Sequence, residues 1–285
     1  HVPSGLILSE GTQSDTILRS ALAEFIYGSD IGKNLSSEKF GGNLLGVEWI
    51  IGTKKNDYLI ASSTGTKFDG NAGNDIIIGG SNADDLAGGD DDDTIEAKSG
   101  DDTLAGDAGN DVLTVGAGND TLSGGAGNDT YIFNTNDVDA GETITEASSG
   151  GTDTISIITT TDFANMSNAS FDEIEVINFV GANQTATFTG SQLTAETLSL
   201  TETVAGTSNL IVNVGSGTTT TFTNMTAASS FTSGTDTVTI NGTTGNETIT
   251  GPNIASSISG GTGNDTICLL YTSDAADEED SVDLV

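Results

Sequence analysis

The sequence contains very little cysteine, histidine, tryptophan or positive charge. Its 285 residues include one cysteine, so no disulfide can form within the chain. The only histidine is His1, which leaves no Ser-His-Asp or Cys-His arrangement and no histidine-based metal cluster. No G-x-S-x-G motif occurs, and no stretch is long and apolar enough to cross a bilayer. We therefore predict neither a catalytic site nor a membrane span.

The shortage of basic residues also restricts the partners of the chain. Lys and Arg total 7 against 42 Asp and Glu, which gives a formal net charge of −35. The last basic residue along the chain is Lys98. Such a chain repels the phosphates of nucleic acids and of anionic membrane surfaces. We therefore predict no nucleic-acid partner, and divalent cations are the natural partners of so acidic a chain.

A nine-residue repeat rich in glycine and aspartate dominates the sequence. Residues 70–132 divide into seven consecutive units, and the same phase extends back to Gly52. Position six is aspartate in every unit except the degenerate 61–69. Position eight is apolar in all nine units, at Leu59, Phe68, Ile77, Leu86, Ile95, Leu104, Leu113, Leu122 and Tyr131.

The residue types in each unit predict a tight loop followed by a very short strand. Positions one to six hold mainly Gly, Asn and Asp, which turn the backbone sharply and tolerate positive φ. Positions seven to nine place one apolar side chain between residues that suit a strand. A single unit cannot bury that side chain alone, so we expect neighbouring units to stack into a solenoid.

The repeat resembles the nonapeptide G-G-x-G-x-D-x-U-x of RTX (repeats-in-toxin) proteins. The resemblance implies an all-β fold, a right-handed parallel β-roll in which two units make one turn. Alternate units then line the same edge of the roll. The aspartates predicted to stack along one edge are Asp57, Asp75, Asp93, Asp111 and Asp129, and those along the other are Asp84, Asp102 and Asp120.

Stacked aspartates at strand spacing predict a calcium site between consecutive turns. Strands lie about 4.7–4.9 Å apart, and carboxylates that close repel one another. Ca²⁺ binds about six to eight carboxylate and carbonyl oxygens in flexible geometry. We expect the carbonyls to come from loops whose glycine at position four allows them to turn inward, at Gly73, Gly100, Gly109, Gly118 and Gly127. The alternative is a solvated acidic loop array without metal.

The segments on either side of the main repeat are less regular. Residues 1–51 are predicted to be an N-terminal cap or the end of an upstream domain, with a short helix ending at Gly28. Residues 133–241 are rich in threonine, with seven strand-like segments, and we expect a β-solenoid-like extension of the stack. Residues 242–267 return to the repeat as a second short roll, in which Asp265 is a predicted calcium ligand and Glu247 a longer substitute.

The last segment, 268–285, resembles the conceptual translation of a sequencing adapter, and we expect it to have no structural role. We also expect the chain to be a fragment of a longer protein. RTX-like proteins are usually exported by type I secretion, so the resemblance implies a secreted or cell-surface protein.

Two functions remain open from the sequence. One is calcium-dependent folding of a secreted structural or adhesin-type protein, with an unknown cell-surface or glycan target. The other is the secretion and folding module of an exoenzyme, such as a protease or lipase, whose catalytic domain lies upstream. The threonine-rich runs are also compatible with an ice-binding or glycan-binding face, although threonine is simply a good strand residue.

Overall fold

The structure is a computed structural model, and it describes residues 50–61, 65–134, 137–146, 150–231 and 235–270. It also gives the backbone of two short strands, Leu6–Ile7 and Leu35–Ser36. The helix predicted to end at Gly28 lies outside the described residues, as does most of the predicted adapter-derived segment.

The described residues form 25 short strands, numbered β1 to β25 in chain order. The strands of the main repeat and of the residues before it are β1 (Leu6–Ile7), β2 (Leu35–Ser36), β3 (Ile50–Ile51), β4 (Tyr58–Ile60), β5 (Lys67–Ala72), β6 (Ile76–Ile78), β7 (Asp85–Asp90), β8 (Thr94–Glu96), β9 (Thr103–Ala108), β10 (Val112–Thr114), β11 (Thr121–Ala126) and β12 (Thr130–Phe133). The later strands are β13 (Thr143–Ile144), β14 (Thr154–Ile157), β15 (Thr161–Asp162), β16 (Val176–Phe179), β17 (Thr185–Thr189), β18 (Ser199–Glu202), β19 (Asn209–Asn213), β20 (Thr219–Thr221), β21 (Thr226–Ala227), β22 (Thr237–Asn241), β23 (Thr248–Thr250), β24 (Ser257–Ser259) and β25 (Thr266–Cys268). The helical residues described are one 3₁₀ turn, Asn168–Phe171, and one α-helical turn, α1 (Gly190–Leu193).

The strands stack as a parallel β-roll, which confirms the predicted fold class. Odd-numbered strands from β1 to β13 form one sheet, and even-numbered strands from β2 to β18, followed by β21, form a second. Each strand of the roll pairs in parallel with the strand two units away, so that Leu59 is in register with Ile77 and Phe68 with Leu86. Hydrogen bonds between successive turns join residues 18 apart. Two nonapeptides therefore make one turn.

The position-eight side chains form the core of the roll. All nine are buried, with exposed fractions between 0% and 3%. Neighbours at positions seven and nine are half-buried or exposed, as in β6 and β8. Burying one such side chain contributes about 1.5–3 kcal/mol, and each unit supplies only one. Stability therefore depends on stacking many turns.

The turns widen after β12, and the core changes with them. The hydrogen bond from Asp129 to the next turn spans 24 residues, and a later one from Ser208 spans 28. Wider turns enclose bulkier side chains, including Phe163, which stacks on Phe188 with ring centroids 4.7 Å apart. Each of the seven segments predicted as strand-like contains or overlaps a strand. The second sheet continues through this region as far as β21.

The 18-residue turn returns in the second short roll. Strand β23 pairs with β25 in register, so that Ile249 lies beside Ile267, and β22 pairs with β24. Ile249 is fully buried, whereas Ile267 is 37% exposed on the last strand described. The period of the sequence thus fixes the length of a turn in both rolls.

Candidate metal centres

The position-six aspartates form two columns, and within each column hydrogen bonds join aspartates of successive turns. We call Asp57, Asp75, Asp93, Asp111 and Asp129 the long column, and Asp84, Asp102 and Asp120 the short column. In the long column each backbone N–H donates to Oδ1 of the aspartate in the next turn, over 2.6 to 2.8 Å. In the short column the same bonds are 2.7 and 2.8 Å long. The repeat therefore brings together the aspartates as predicted, although their role as metal ligands stays a prediction.

These aspartates are buried, and most keep one oxygen without a partner. Each of the eight is 4% exposed or less. Oδ2 has no hydrogen-bond partner in six of them, and in Asp57 the unpartnered oxygen is Oδ1. Asp84 differs, because its two oxygens accept from the N–H groups of Thr66 and Gly80. A buried, unpartnered carboxylate oxygen is costly, and a cation would remove that cost.

Backbone carbonyls lie beside unpartnered oxygens at two positions of the long column. A Cβ added to Gly106 would meet both Asp111 Oδ2 and the carbonyl oxygen of Gly124, the latter at 2.6 Å. A Cβ added to Gly70 would overlap Asp75 Oδ2 and the carbonyl oxygen of the next turn. The glycine at position one thus leaves a space where a carboxylate and a carbonyl oxygen converge. Sequence reasoning missed this position, although glycine recurs there.

The predicted position-four glycines occupy the other side of each loop. Gly73, Gly100, Gly109, Gly118 and Gly127 all have positive φ, between 102° and 156°. A Cβ on Gly118 would overlap the carbonyl oxygen of Gly100, and one on Gly127 that of Gly109. These carbonyls therefore point along the stack toward the next turn. That these carbonyls bind calcium remains a prediction.

Burial and mutual repulsion raise the pKa values of the columns. Burial, with smaller contributions from Asp93 and Asp57, raises the pKa of Asp75 to about 8. Burial likewise raises the pKa of Asp111 to about 7, and the charges of Asp129 and Asp93 add to it. Asp93 and Asp102 reach pKa values of about 6 for the same main reason. In the metal-free fold the ionised columns are thus unfavourable near neutral pH.

Two further acids join the long column beyond the last nonapeptide. Asp153 Oδ1 accepts the N–H of Asp129 over 2.8 Å, and Glu175 Oε2 accepts the N–H of Asp153 over 2.7 Å. Sequence reasoning missed both, because turns of 24 and 22 residues break the nine-residue phase. The available signal was Asp153-Thr154-Ile155, which repeats positions six to eight of a nonapeptide.

The second short roll carries a shorter version of the same arrangement. The N–H of Glu247 donates to Asp265 Oδ1 over 2.9 Å, and a Cβ on Gly260 would lie 2.5 Å from Asp265 Oδ2. Glu247 is buried and accepts the N–H of Gly217 over 2.8 Å, the bond that does most to lower its pKa. Asp265 therefore occupies the position predicted for a ligand.

No three Asp, Glu, His or Cys side chains among the residues described here come together as a metal-binding group. A cation between two turns would need backbone carbonyls to complete its shell. Ca²⁺ accepts such mixed oxygen shells, and the loops place carbonyls beside the carboxylates. The donor set therefore fits calcium.

Comparison with known families agrees with this geometry. Residues 67–95, 96–131 and 241–268 match the model described as the RTX calcium-binding nonapeptide repeat (4 copies). The chain carries RTX calcium-binding repeats. The matched ranges include every predicted aspartate ligand except Asp57. No curated protein matches the chain.

The RTX repeats support calcium binding by this chain, and repeats of this family are structural and not catalytic. Within the described part of the chain, no helix is long and apolar enough to cross a membrane.

Proposed function

We propose that this chain is a calcium-folded structural segment of a secreted, adhesin-type protein. The observation that carries the proposal is the pair of buried aspartate columns, in which seven of the eight carboxylates keep an oxygen without a hydrogen-bond partner. Calcium bound between turns would neutralise the carboxylates and join each turn to the next. The aspartates of the long and short columns and Asp265 would supply side-chain oxygens, and the glycine loops would supply carbonyls.

Calcium would then control folding as well as rigidity. An unfolded chain with a net charge of −35 repels itself and solvates its carboxylates, whereas the folded columns bury them. Binding energy available only to the folded state becomes folding energy. Extracellular calcium sites bind in the range of about 10⁻⁴–10⁻³ M, far above the free calcium of a cytosol. The chain would therefore stay unfolded before export and fold outside the cell.

The length of the continuous sheet favours a structural role over an exoenzyme module. The second sheet runs from β2 through the main roll to β21, so the threonine-rich region extends the same stack. Such a rod can hold a binding surface away from a cell, with a cell-surface or glycan partner as its target. A module of an exoenzyme is the alternative, and the sequence upstream of His1 would distinguish the two.

Circular dichroism in the far ultraviolet tests the proposal. The whole chain, freed of metal by a chelator, is titrated with calcium, and a titration with magnesium is the control. We expect a change from coil to β-structure near millimolar calcium, and a much weaker change with magnesium, which demands stricter octahedral geometry. A chain that is already folded in chelator and is indifferent to calcium would contradict the proposal.

A further inference from the structure

Glu142 takes the next place in the short column, although it lies outside the nonapeptides. The N–H of Thr143 donates to the carbonyl of Asp120 over 3.0 Å, just as the N–H of Thr121 donates to that of Asp102 over 2.8 Å. Strand β13 pairs in register with β11, and its Ile144 is buried at 3% exposure in the core. In backbone register, Glu142 therefore stands to Asp120 as Asp120 stands to Asp102, but its oxygens do not accept a hydrogen bond like the one that joins Asp102 to Asp120.

The loop before Glu142 also keeps the stacking of the repeat. The N–H of Gly141 donates to Asn119 Oδ1 over 2.9 Å, a bond that spans 22 residues. Within the roll, the N–H of Asn128 donates to Asn110 Oδ1 over the same distance, although that bond spans 18 residues. The longer turn thus ends in the same loop contact.

The carboxylate of Glu142 is buried, and none of the described residues forms a hydrogen bond with it. Glu142 is 1% exposed, and neither of its oxygens has a hydrogen-bond partner. Asp120 is fully buried, and its Oδ2 is also unpartnered. The last basic residue in the sequence, Lys98, precedes both. Two buried carboxylates in adjoining turns disfavour each other's ionisation unless a cation lies between them.

We propose that Glu142 is a calcium ligand, which together with Asp120 forms one further site beyond the last nonapeptide of the short column. This inference rests on the proposed calcium-binding function. The donors would all be oxygens, since Glu142 and Asp120 carry carboxylates and any further protein ligands would be backbone carbonyls. Calcium is the cation that suits such a shell. The ion would join β13 to β11 and extend the calcium-bound stack into the wider turns.

Counting bound calcium in matched variants of the full chain tests this proposal. Glu142→Gln keeps the size of the side chain and removes its charge. Glu173→Gln makes the same chemical change at an exposed position and serves as the control. Equilibrium dialysis at saturating calcium should give one ion fewer per chain for Glu142→Gln and no change for Glu173→Gln. An unchanged count for Glu142→Gln would overturn the proposal.

Hydrogen exchange locates the effect in the chain. Calcium should slow exchange of the Thr143 and Thr145 amides, which bond to β11 and the residue before it, and Glu142→Gln should remove that protection while β9 stays protected. Glu142→Asp keeps the charge, so it should restore the full count with weaker affinity. A count still reduced in Glu142→Asp would indicate lost packing and overturn the proposal. If the unaltered chain binds no calcium, both this inference and the proposed function fail. If it binds calcium and only the Glu142 result is negative, the proposed function stands.

Discussion

Replacing one aspartate in the middle of the long column should weaken the roll in calcium but not in chelator. In Asp111→Asn the side chain still accepts the N–H of Asp93, a bond of 2.7 Å, because the amide keeps one oxygen. The unpartnered Oδ2, however, becomes an NH₂ group that cannot bind a cation. Asp111 lies between Asp93 and Asp129, so the substitution affects the gaps on both sides of its turn.

The size of the effect follows from the linkage between binding and folding. A site with a Kd of about 10⁻⁴–10⁻³ M stabilises the fold by about 1.4–2.7 kcal/mol at about 10 mM calcium. Loss of both sites that adjoin Asp111 should therefore lower the free energy of unfolding by about 3–5 kcal/mol. In chelator the substitution should have no effect, because the chain should be unfolded there with or without it.

Urea unfolding in calcium measures this loss of stability, and circular dichroism in chelator checks that both chains are unfolded without the ion. Asp90→Asn is the matched control, because Asp90 is an exposed acid in the same roll and should change stability by only about 0.5 kcal/mol. If Asp111→Asn and Asp90→Asn lose the same stability in calcium, Asp111 does not contribute to a cation site.

Three further predictions concern the loop, the pH dependence and the extension. Gly118→Ala should lower the free energy of unfolding in urea by several kcal/mol, because φ is +136° and the new Cβ would overlap a carbonyl of the preceding turn. The control Gly217→Ala, at φ +66° with open space around it, should lower it by only about 1 kcal/mol. Equal losses would contradict the stacking of loops. Burial raises the pKa of Asp75 to about 8 and of Asp111 to about 7, so the folded columns bind more protons than the unfolded chain. Without calcium, this contribution to folding should therefore be fully present below about pH 4 and be lost as the pH rises through these values, which circular dichroism in chelator would show. Calcium affinity, measured by titration at pH 8 and pH 6, should fall at the lower pH because protons compete for the same oxygens, and an affinity that does not change would contradict the assignment. Phe163→Ala should cost about 3–5 kcal/mol through the cavity it leaves without changing the number of calcium ions bound, and a lower count would show that the extension and the metal sites are coupled.

The regular part of the fold could be predicted because each unit has one apolar residue, at position eight, that must be buried in the core. The repeat predicts a buried Leu113 at position eight of its unit, and Asp111 two residues before it at position six. In the structure both side chains are buried. Two nonapeptides per turn followed from the resemblance, and the register of Leu59 with Ile77 confirms it. In a strictly periodic sequence the register of neighbouring strands follows from the period and depends little on other tertiary contacts.

The rest could not be predicted for two physical reasons. Glu142 and Asp153 are acids that directly precede a strand, as in the repeat, but longer turns move them out of the nine-residue phase. Only the pairing of the strands shows that they lie one turn beyond the columns. The packing of Phe163 against Phe133 and Phe188 depends on how wide turns fold back, and no local pattern encodes it. Strands of two residues, such as β13 and β15, are also too short to give a periodic signal.

The central claim is that cations lie between consecutive aspartates of the two columns. Anomalous scattering from crystals of the chain grown with terbium in place of calcium tests it most directly, because the ion itself is located. Peaks are expected to repeat one turn apart, about 4.7–4.9 Å, beside Oδ2 of Asp75, Asp93 and Asp111. Columns without peaks, or peaks only at exposed carboxylates such as Asp90, would contradict it.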